Sequence, residues 1–566
     1  MLSSLNISFS FPLLKPQTIH YGSPKTINSK KRSHMKNYLS DNKTKPKNIN
    51  SSVVYSPKRE SDSERKKHGH GIGIARFLQG KNYLITGATG FLGKVFLEKM
   101  LRTAPDIGQI FVLIRAKDKD AALNRLKTEI IDSELLKSLE EVYGKNYKAL
   151  VMSKLVAVPG CVCESDLGMD PFTANEIATK VNVLVNSAAS TKFDDRYDVA
   201  LNSNTKGPSH LLNFARTCNN ICLFLHISTA YVSDGEEKII QERPLCMGEN
   251  NVSWKRNNIS KNQKSVPRLD IDNEMRLATN PMDLVNDNEA AQEMKILGLE
   301  RAKIHGWPNT YSFTKAMGEM MITSLKSDIP IAIVRPTVIG STYKEPFPGW
   351  IEGNRMFDPF ILSYGKGKLP GKVADPKAIL DMVPVDMVVN AAIAVMAKHA
   401  NSGNLDLTVY HFGSSMINPI SFGDMVDYWY KHFKCCPLSD PKGNDISISK
   451  MKFFESIDAF SAFISSEMEK KSGLMEPISL EPNRYTKLIL QCNKRARHFI
   501  QMARAYEPYT FYKGRFDIGN AQKLMEEMSM EEIREFWFDL GGINWEEYIC
   551  SIHIPGLRKH VLKSNK

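Results

Sequence analysis

Between about residues 71 and 400 the chain alternates short apolar runs with stretches whose apolar residues recur at helical spacing, the pattern of a parallel sheet covered by helices on both faces. Tyr83–Ile85 predicts a first strand and VFLEKMLR, a few residues on, a helix. QIFVLIR (109–115) predicts a second, buried strand, 121–133 a helix, and KLVAVPG (154–160) a third strand. Further strands are expected over VNVLVNSAAS (181–190), LFLHISTAYVS (223–233) and IPIAIVRPTVIG (329–340), the last preceded by a helix, YSFTKAMGEMMITSLK. Beyond 400 one more strand and helix fall within 410–433, and from about 455 the pattern is mostly helical. The expected fold is α/β: a doubly wound parallel sheet over 71–400 with an insert at about 240–307, a connecting segment over 401–454, and a smaller, mostly helical domain over 455–566.

The turn after the first strand carries the first candidate chemistry. Gly87-Ala-Thr-Gly90-Phe-Leu-Gly93 spaces its glycines as GxxGxxG between a strand and a helix. Gly87 allows the turn, Gly90 lets backbone approach a pyrophosphate, and Gly93 lets helix and strand pack closely. The helix N-terminus adds free N–H groups and partial positive charge. Thr86, Gly87, Thr89, Gly90, Phe91, Leu92 and Gly93 are therefore candidate cofactor-binding residues, and this spacing points to a short-chain dehydrogenase/reductase type of Rossmann sheet. An acid commonly ends the second strand in NAD-preferring proteins. Here that end is Arg115, with Lys117 close behind, which suits the 2′-phosphate of NADPH. Asp166 and Leu167, after the third strand, are expected beside the adenine, and Ala188 where small residues let a flat cofactor lie against the backbone. Pro336 and Val338, at the end of the 329–340 strand, complete the cofactor set.

Ser228 and Thr229 put hydroxyls at a strand's carboxyl end, where doubly wound sheets bind ligands. Tyr311 and Lys315 lie four residues apart on a predicted helix and share a face. A cation beside a phenol lowers its pKa and readies it to donate a proton to a developing alkoxide, and the same ammonium can hold the nicotinamide ribose. Tyr21/Lys25, Tyr364/Lys368, Tyr430/Lys434 and Tyr509/Lys513 have the same spacing. Context selects Tyr311, which alone opens a helix between a hydroxyl-tipped strand and another buried strand. The interval from Tyr231 to Tyr311 far exceeds ordinary loop lengths. Its Asn-rich stretch (249–265) and charged helical stretch (288–307) are expected to overhang the cleft as a lid or gate, the alternative being a surface decoration. Thr342–Met356, aromatic and proline-rich, suits the wall of an acyl channel.

Charge changes the picture only at the N-terminus. The chain of 566 residues carries +13, but residues 1–70 hold fourteen Lys/Arg against four Asp/Glu, leaving +3 for the rest. The basic character is a tail, which argues against a nucleic-acid surface. That tail has no acid before Asp41, is rich in Ser, Asn and Lys, and lacks the apolar core of a secretory signal, so it reads as a plastid transit peptide and linker. No run of eighteen apolar residues occurs, so any membrane contact is expected to be peripheral. Nine scattered cysteines lack zinc-site spacing, and no metal is expected. Oligomeric state is not legible.

With GATGFLGK, STAYV and YSFTKAMGE in view, the chain resembles the alcohol-forming fatty acyl reductases, specifically their plastid-targeted male-sterility branch. GLERAKIHGW, RPTVIGSTYKEPFPGWIEGNRM, YGKGKL, EPYTFYKGRFD and INWEEYI…HIPGLRKHVLK extend the resemblance over about 71–566. It implies NADPH-dependent reduction of a long-chain fatty acyl thioester, acyl-CoA or acyl-carrier protein, to a primary alcohol through an aldehyde. It also implies a catalytic tyrosine–lysine pair at Tyr311 and Lys315, with Thr229 or Ser228 as the hydroxyl partner. An aldehyde-forming reductase and a catalytically silent dinucleotide-binding scaffold are the alternatives. Lys487, Lys494, Arg495 and Arg497 offer a basic docking patch for an acidic carrier protein, or simply a solvated helix face.

Overall fold

The computed structural model describes residues 69–233, 239–251, 268–279, 287–325, 328–403, 405–472 and 482–563. The transit-peptide reading falls almost wholly outside them, as does most of the Asn-rich stretch.

Seven strands form the central sheet: β1 (Tyr83–Thr86), β2 (Ile110–Ile114), β3 (Leu155–Pro159), β4 (Val183–Asn186), β5 (Leu223–Ile227), β6 (Ile331–Pro336) and β7 (Thr408–Phe412). All pairs are parallel, in the order β7-β6-β5-β4-β1-β2-β3. β1, β2, β4, β5 and β6 are buried at every position, which is why they read as unbroken apolar runs rather than alternating ones. The chain leaves β1 toward β2 and β3, then crosses back to start β4 on β1's other side. The strand order therefore reverses between β1 and β4, and the crevice at their carboxyl ends is where such sheets receive ligands.

The helices that matter for the site are α1 (Phe91–Thr103), α2 (Gly207–Thr217), α3 (Asp287–His305), α4 (Thr310–Ser324), α5 (Val385–Ser402), α6 (Phe422–Cys435), α7 (Ile457–Ser472) and α8 (Pro482–Thr510). α5 is apolar nearly all round (VDMVVNAAIAVMA) and is buried on nearly all sides, in one core with α1 and the sheet. α7 and α8 pack together as a helical pair.

The sheet does not stop at residue 400. β7 comes from the stretch that the sequence pattern assigns to a connection, and it pairs along all five residues with β6. His68–Lys566 form one compact unit. Phe499, Met502, Phe538, Trp545 and Tyr548, all from the C-terminal region, join the same apolar core as α1 and α5. A further crossing is Arg515–Phe516, which pairs with Ile239–Ile240 of the insert.

Candidate active site

The glycine loop fits a bound phosphate through what it leaves out. Gly87 has φ +72°, and a Cβ there would meet the Ser187 carbonyl and Ala188 nitrogen at 2.6 and 2.7 Å. A Cβ on Gly93 would meet the Gly87 oxygen at 2.4 Å. Gly90 has only that same oxygen nearby, at 3.2 Å, so the space outside it is open. Gly90 caps α1 without a side-chain hydrogen bond, and the first turn carries no acid. Its amides are left for an anion. Thr89 and Leu92 are partly exposed beside them, while Phe91 is buried, stacked on Trp350 at 5.4 Å with Arg355 over its ring. Thr342–Met356, expected along an acyl channel, lies instead against α1: Trp350 on Phe91, and Glu352 paired with Lys94 at 2.5 Å.

At the end of β2, Arg115 and Lys117 are both exposed. Asp118, the next acid, is occupied as the cap of the following helix, accepting from the Ala121 N–H at 2.8 Å, with Lys117 at 3.6 Å. Asp166 is exposed, its carboxylate accepting from the Gly168 N–H at 2.8 Å. Leu167 is fully buried at φ +62°, held because its carbonyl accepts from Cys161 N–H at 2.7 Å. Ala188 donates its N–H to Thr86 Oγ1 at 3.1 Å. Pro336 ends β6 opposite Phe412, and Val338 begins a short strand paired with Met382, its N–H donating to the Asp381 carbonyl at 3.2 Å.

A buried polar chain runs under the crevice. Thr86 Oγ1 donates to Asn186 Oδ1 at 2.9 Å, the Asn186 amide meets His226 Nδ1 at 3.0 Å, and His226 Nε2 lies 3.4 Å from Lys315 Nζ. Lys315 also donates to the Ile227 carbonyl at 2.8 Å, tying α4 to the tip of β5. Burial pulls its ammonium down to about 8, with Glu319 opposing. Burial also holds His226 neutral, well below the usual histidine range, helped by Lys315 and Arg335. One turn along α4, Glu319 clamps the buried Arg335 of β6, which in turn meets His411 of β7 at 3.2 Å.

Tyr311 and Thr229 come together above this floor. α4 is started by Asn309, whose carboxamide oxygen accepts from Ser312 N–H at 3.0 Å, and this sets Tyr311 on its first turn. Burial pushes the phenol up to about 12, with the neighbouring Thr229 hydroxyl pulling the other way. The expected lowering by Lys315 therefore gives way to burial, because the lysine's ammonium is turned to β5 instead. A phenol held protonated is a proton donor at neutral pH. Ser228 is buried beside Thr229, and its Oγ has no protein partner, leaving one hydroxyl for a ligand.

The residues that sequence reasoning missed form the roof. Phe193, whose carbonyl accepts from Thr310 N–H at 3.1 Å, has ring centroids of Tyr311, Tyr506 and Tyr509 at 6.4, 5.5 and 5.4 Å. Tyr509 sets its ring edge-on to Tyr231 at 5.2 Å, and its hydroxyl accepts from Asn309 Nδ2 at 2.5 Å. The end of α8 therefore covers the site. The described parts of the insert buttress α4 from the other side. Trp307 donates to the Val232 carbonyl at 2.9 Å, and Gly298 of α3 leaves room for Thr310. Glu274 is buried among Arg301, His305 and Tyr197; burial would raise its pKa, but their hydrogen bonds hold it at about 2.

Gly87 and Gly93, whose missing side chains shape the loop, the uncapped α1 amides and the orphaned Ser228 hydroxyl together fit a nicotinamide dinucleotide laid across β1 and β4.

Residues 85–392 match the profile of a family described as male sterility protein, and residues 485–564 match a second profile of the same description. Fatty acyl-CoA reductase 2, chloroplastic, of Arabidopsis thaliana is 50% identical over 498 residues, 87% of this chain and 80% of that protein. The alcohol-forming fatty acyl-CoA reductase of Simmondsia chinensis is 37% identical over 498 residues, 86% of this chain and 99% of that one. The reductase domain of a non-ribosomal peptide synthetase from Mycobacterium tuberculosis shares the fold at TM-score 0.50 and 16% identity, over 87% of this chain and 96% of that one.

Proposed function

The chain belongs to the male sterility family of fatty acyl-CoA reductases, and we propose that it reduces a long-chain fatty acyl thioester to a primary alcohol with NADPH, in the plastid. The observation that carries this reading is the placing of the Tyr311 phenol next to the Thr229 hydroxyl at the tip of β5, under aromatic rings, in a sheet whose β1–α1 loop fits a dinucleotide.

NADPH, when bound, supplies the hydride for each of two reductions. Tyr311 and Thr229 offer hydroxyls to the carbonyl oxygen as negative charge develops on it, which is where fixed donors contribute most. After the thiol leaves, the same pair holds the aldehyde oxygen, and Tyr311 gives its proton to the alkoxide. Lys315, fixed to the Ile227 carbonyl, keeps α4 in register with β5. The aromatic roof excludes water, which strengthens these contacts. Arg115 and Lys117, exposed cations at the end of β2, support NADPH over NADH. The plastid assignment rests on the chloroplastic relative and the basic N-terminal tail.

The test is turnover of C16 acyl-CoA and acyl-carrier protein with NADPH, products resolved by mass. Hexadecanol supports the reading, and the better thioester identifies the carrier. Hexadecanal as the end product would replace it with the aldehyde-forming alternative. NADPH binding without any product would leave only a dinucleotide-binding scaffold.

A further inference from the structure

The long helix α8 has two faces of opposite character. One is apolar and packed: Cys492, Ala496, Phe499, Met502 and Ala503 belong to the common core. The other is basic. Residues 482–506 hold six Lys/Arg and no Asp/Glu, whereas 71–566 as a whole carries only +3. The rest of that span is therefore net acidic, and this one helix reverses its sign. Lys494, Arg495 and Arg497 are exposed, and none makes an ion pair with a described residue. Elsewhere on the surface Lys180, Lys398 and Lys431 each reach a carboxylate, on Glu176, Glu527 and Glu546. Arg497 only turns its Nε back to the Asn493 carbonyl, at 3.2 Å. Lys494 and Arg497, three residues apart, lie side by side, and like charges at that spacing weaken a helix slightly. An anionic partner would relieve them.

The place of this face in the fold decides which partner fits. The same helix ends over the reacting hydroxyls, where Tyr506 and Tyr509 pack on Phe193 and Phe193 packs on Tyr311. From Lys494 to Tyr506 the helix rises about 18 Å. A pantetheine arm is about as long as five extended residues, roughly 17 Å. A carrier held on the basic face would stand within an arm's length of the roof of the site. Among the described residues of α8, Leu490 is the one large apolar side chain that is strongly exposed. The face therefore offers charge without the apolar band that a lipid surface takes up, which favours an acidic protein.

We infer that the outer face of α8, centred on Lys494, Arg495 and Arg497, is the docking surface for an acyl-carrier protein, an acidic protein that presents its acyl thioester on a pantetheine arm. This rests on the acyl thioester reading above and names the carrier that the site receives. Exposed charges of this kind act on encounter: they speed association with a partner of opposite sign, and salt screens them.

The test uses the full chain with NADPH and compares hexadecanoyl-acyl-carrier protein with hexadecanoyl-CoA. Binding of the holo carrier, without an acyl group, is read separately by fluorescence anisotropy. The variant reverses the three exposed charges together, Lys494→Glu, Arg495→Glu and Arg497→Glu. Its kcat/KM for the carrier-borne thioester should fall on the order of tenfold, while that for hexadecanoyl-CoA stays within about twofold. Holo-carrier binding should be lost in parallel. Raising salt from about 0.05 to about 0.5 M should produce a similar loss for the carrier-borne thioester in the wild-type protein, a measurement that needs no variant. An equal loss for both thioesters, in a variant whose unfolding transition is unchanged, would overturn the inference. So would carrier kinetics that the three substitutions leave unmoved, or a wild-type protein that reduces the CoA thioester alone. Co-sedimentation with vesicles of anionic phospholipid that the variant loses, with carrier kinetics unmoved, would give the face to a membrane instead. Holo-carrier binding that the variant loses, with neither thioester reduced despite NADPH binding, would keep the docking surface and remove the acyl-reduction reading.

Discussion

Lys315 and Lys372 are both buried, and the regions around them solve the same problem in opposite ways. Lys315 sits on a polar floor, bonded to the Ile227 carbonyl and next to His226, which continues through Asn186 to Thr86. Lys372 sits among rings, with no hydrogen bond. Burial lowers both ammonium groups, to about 8 and about 7. Partners made of backbone and imidazole hold a lysine in one place and link a catalytic helix to a strand. The first arrangement serves positioning, and the second leaves the cost of burying the amine offset by ring faces alone.

The sharpest way to separate the two regions is at the hydroxyl above the polar floor. Tyr311→Phe should reduce turnover by about 10²–10⁴-fold, with the NADPH dissociation constant nearly unchanged by fluorescence titration; wild-type turnover in this variant would sink the catalytic assignment. The next effect concerns stability. Lys372 has a folded pKa below its unfolded one, so the unfolded chain binds more protons between about 7 and 10.5, and the lysine's destabilising effect is full below 7 and fades as pH rises through that window. Lys372→Met should therefore raise the unfolding free energy measured by urea titration at pH 7 by an amount on the order of 3–4 kcal/mol, and much less at pH 10. Lys315→Met, which strands Ile227 and His226, should gain nothing comparable, and an equal gain at both sites would erase the contrast drawn here.

Glu274 offers the mirror case away from both lysines. Its folded pKa, held near 2, lies below the unfolded value, so its stabilisation is present above about 4.5 and is lost as pH falls toward 2. Glu274→Gln should cost on the order of 3 kcal/mol at pH 7 and next to nothing near pH 2, read from acid and urea unfolding curves. The smallest expected change is at the cofactor's edge. Arg115→Ala should raise KM for NADPH by about tenfold, a loss of about 1.4 kcal/mol, and leave NADH kinetics unchanged. A matching loss with NADH would assign Arg115 a structural role.

The sheet and the loop were legible because local pattern encodes them. An apolar run that meets spaced glycines and then a helix needs no distant partner to be read. Tyr311 and Lys315 stood out for the same reason, since one helix and its flanking strands identify them. Phe193, Tyr506 and Lys372 carry no such signal. Their role depends on residues from separate elements, from about a dozen to about three hundred positions apart in sequence, that meet only after folding. Tyr509 is instructive, because in the sequence it is one more Tyr/Lys pair at helical spacing, and in the fold it roofs the site instead. β7 is legible as a strand, but not as a member of the central sheet, because its pairing with β6 spans an interval crowded with helix and loop.

The hydrogen bond between Tyr509 and Asn309 joins residues 200 positions apart, and Asn309 is the cap that starts the helix bearing Tyr311. On the ribosome, the segment bearing Tyr311 is made long before its roof. Until the segment around Tyr509 has emerged, the catalytic helix begins without its latch and the crevice stands open to water. A polypeptide that stops before that point should contain the reacting residues in the right order and still be silent, so that activity arrives late in synthesis.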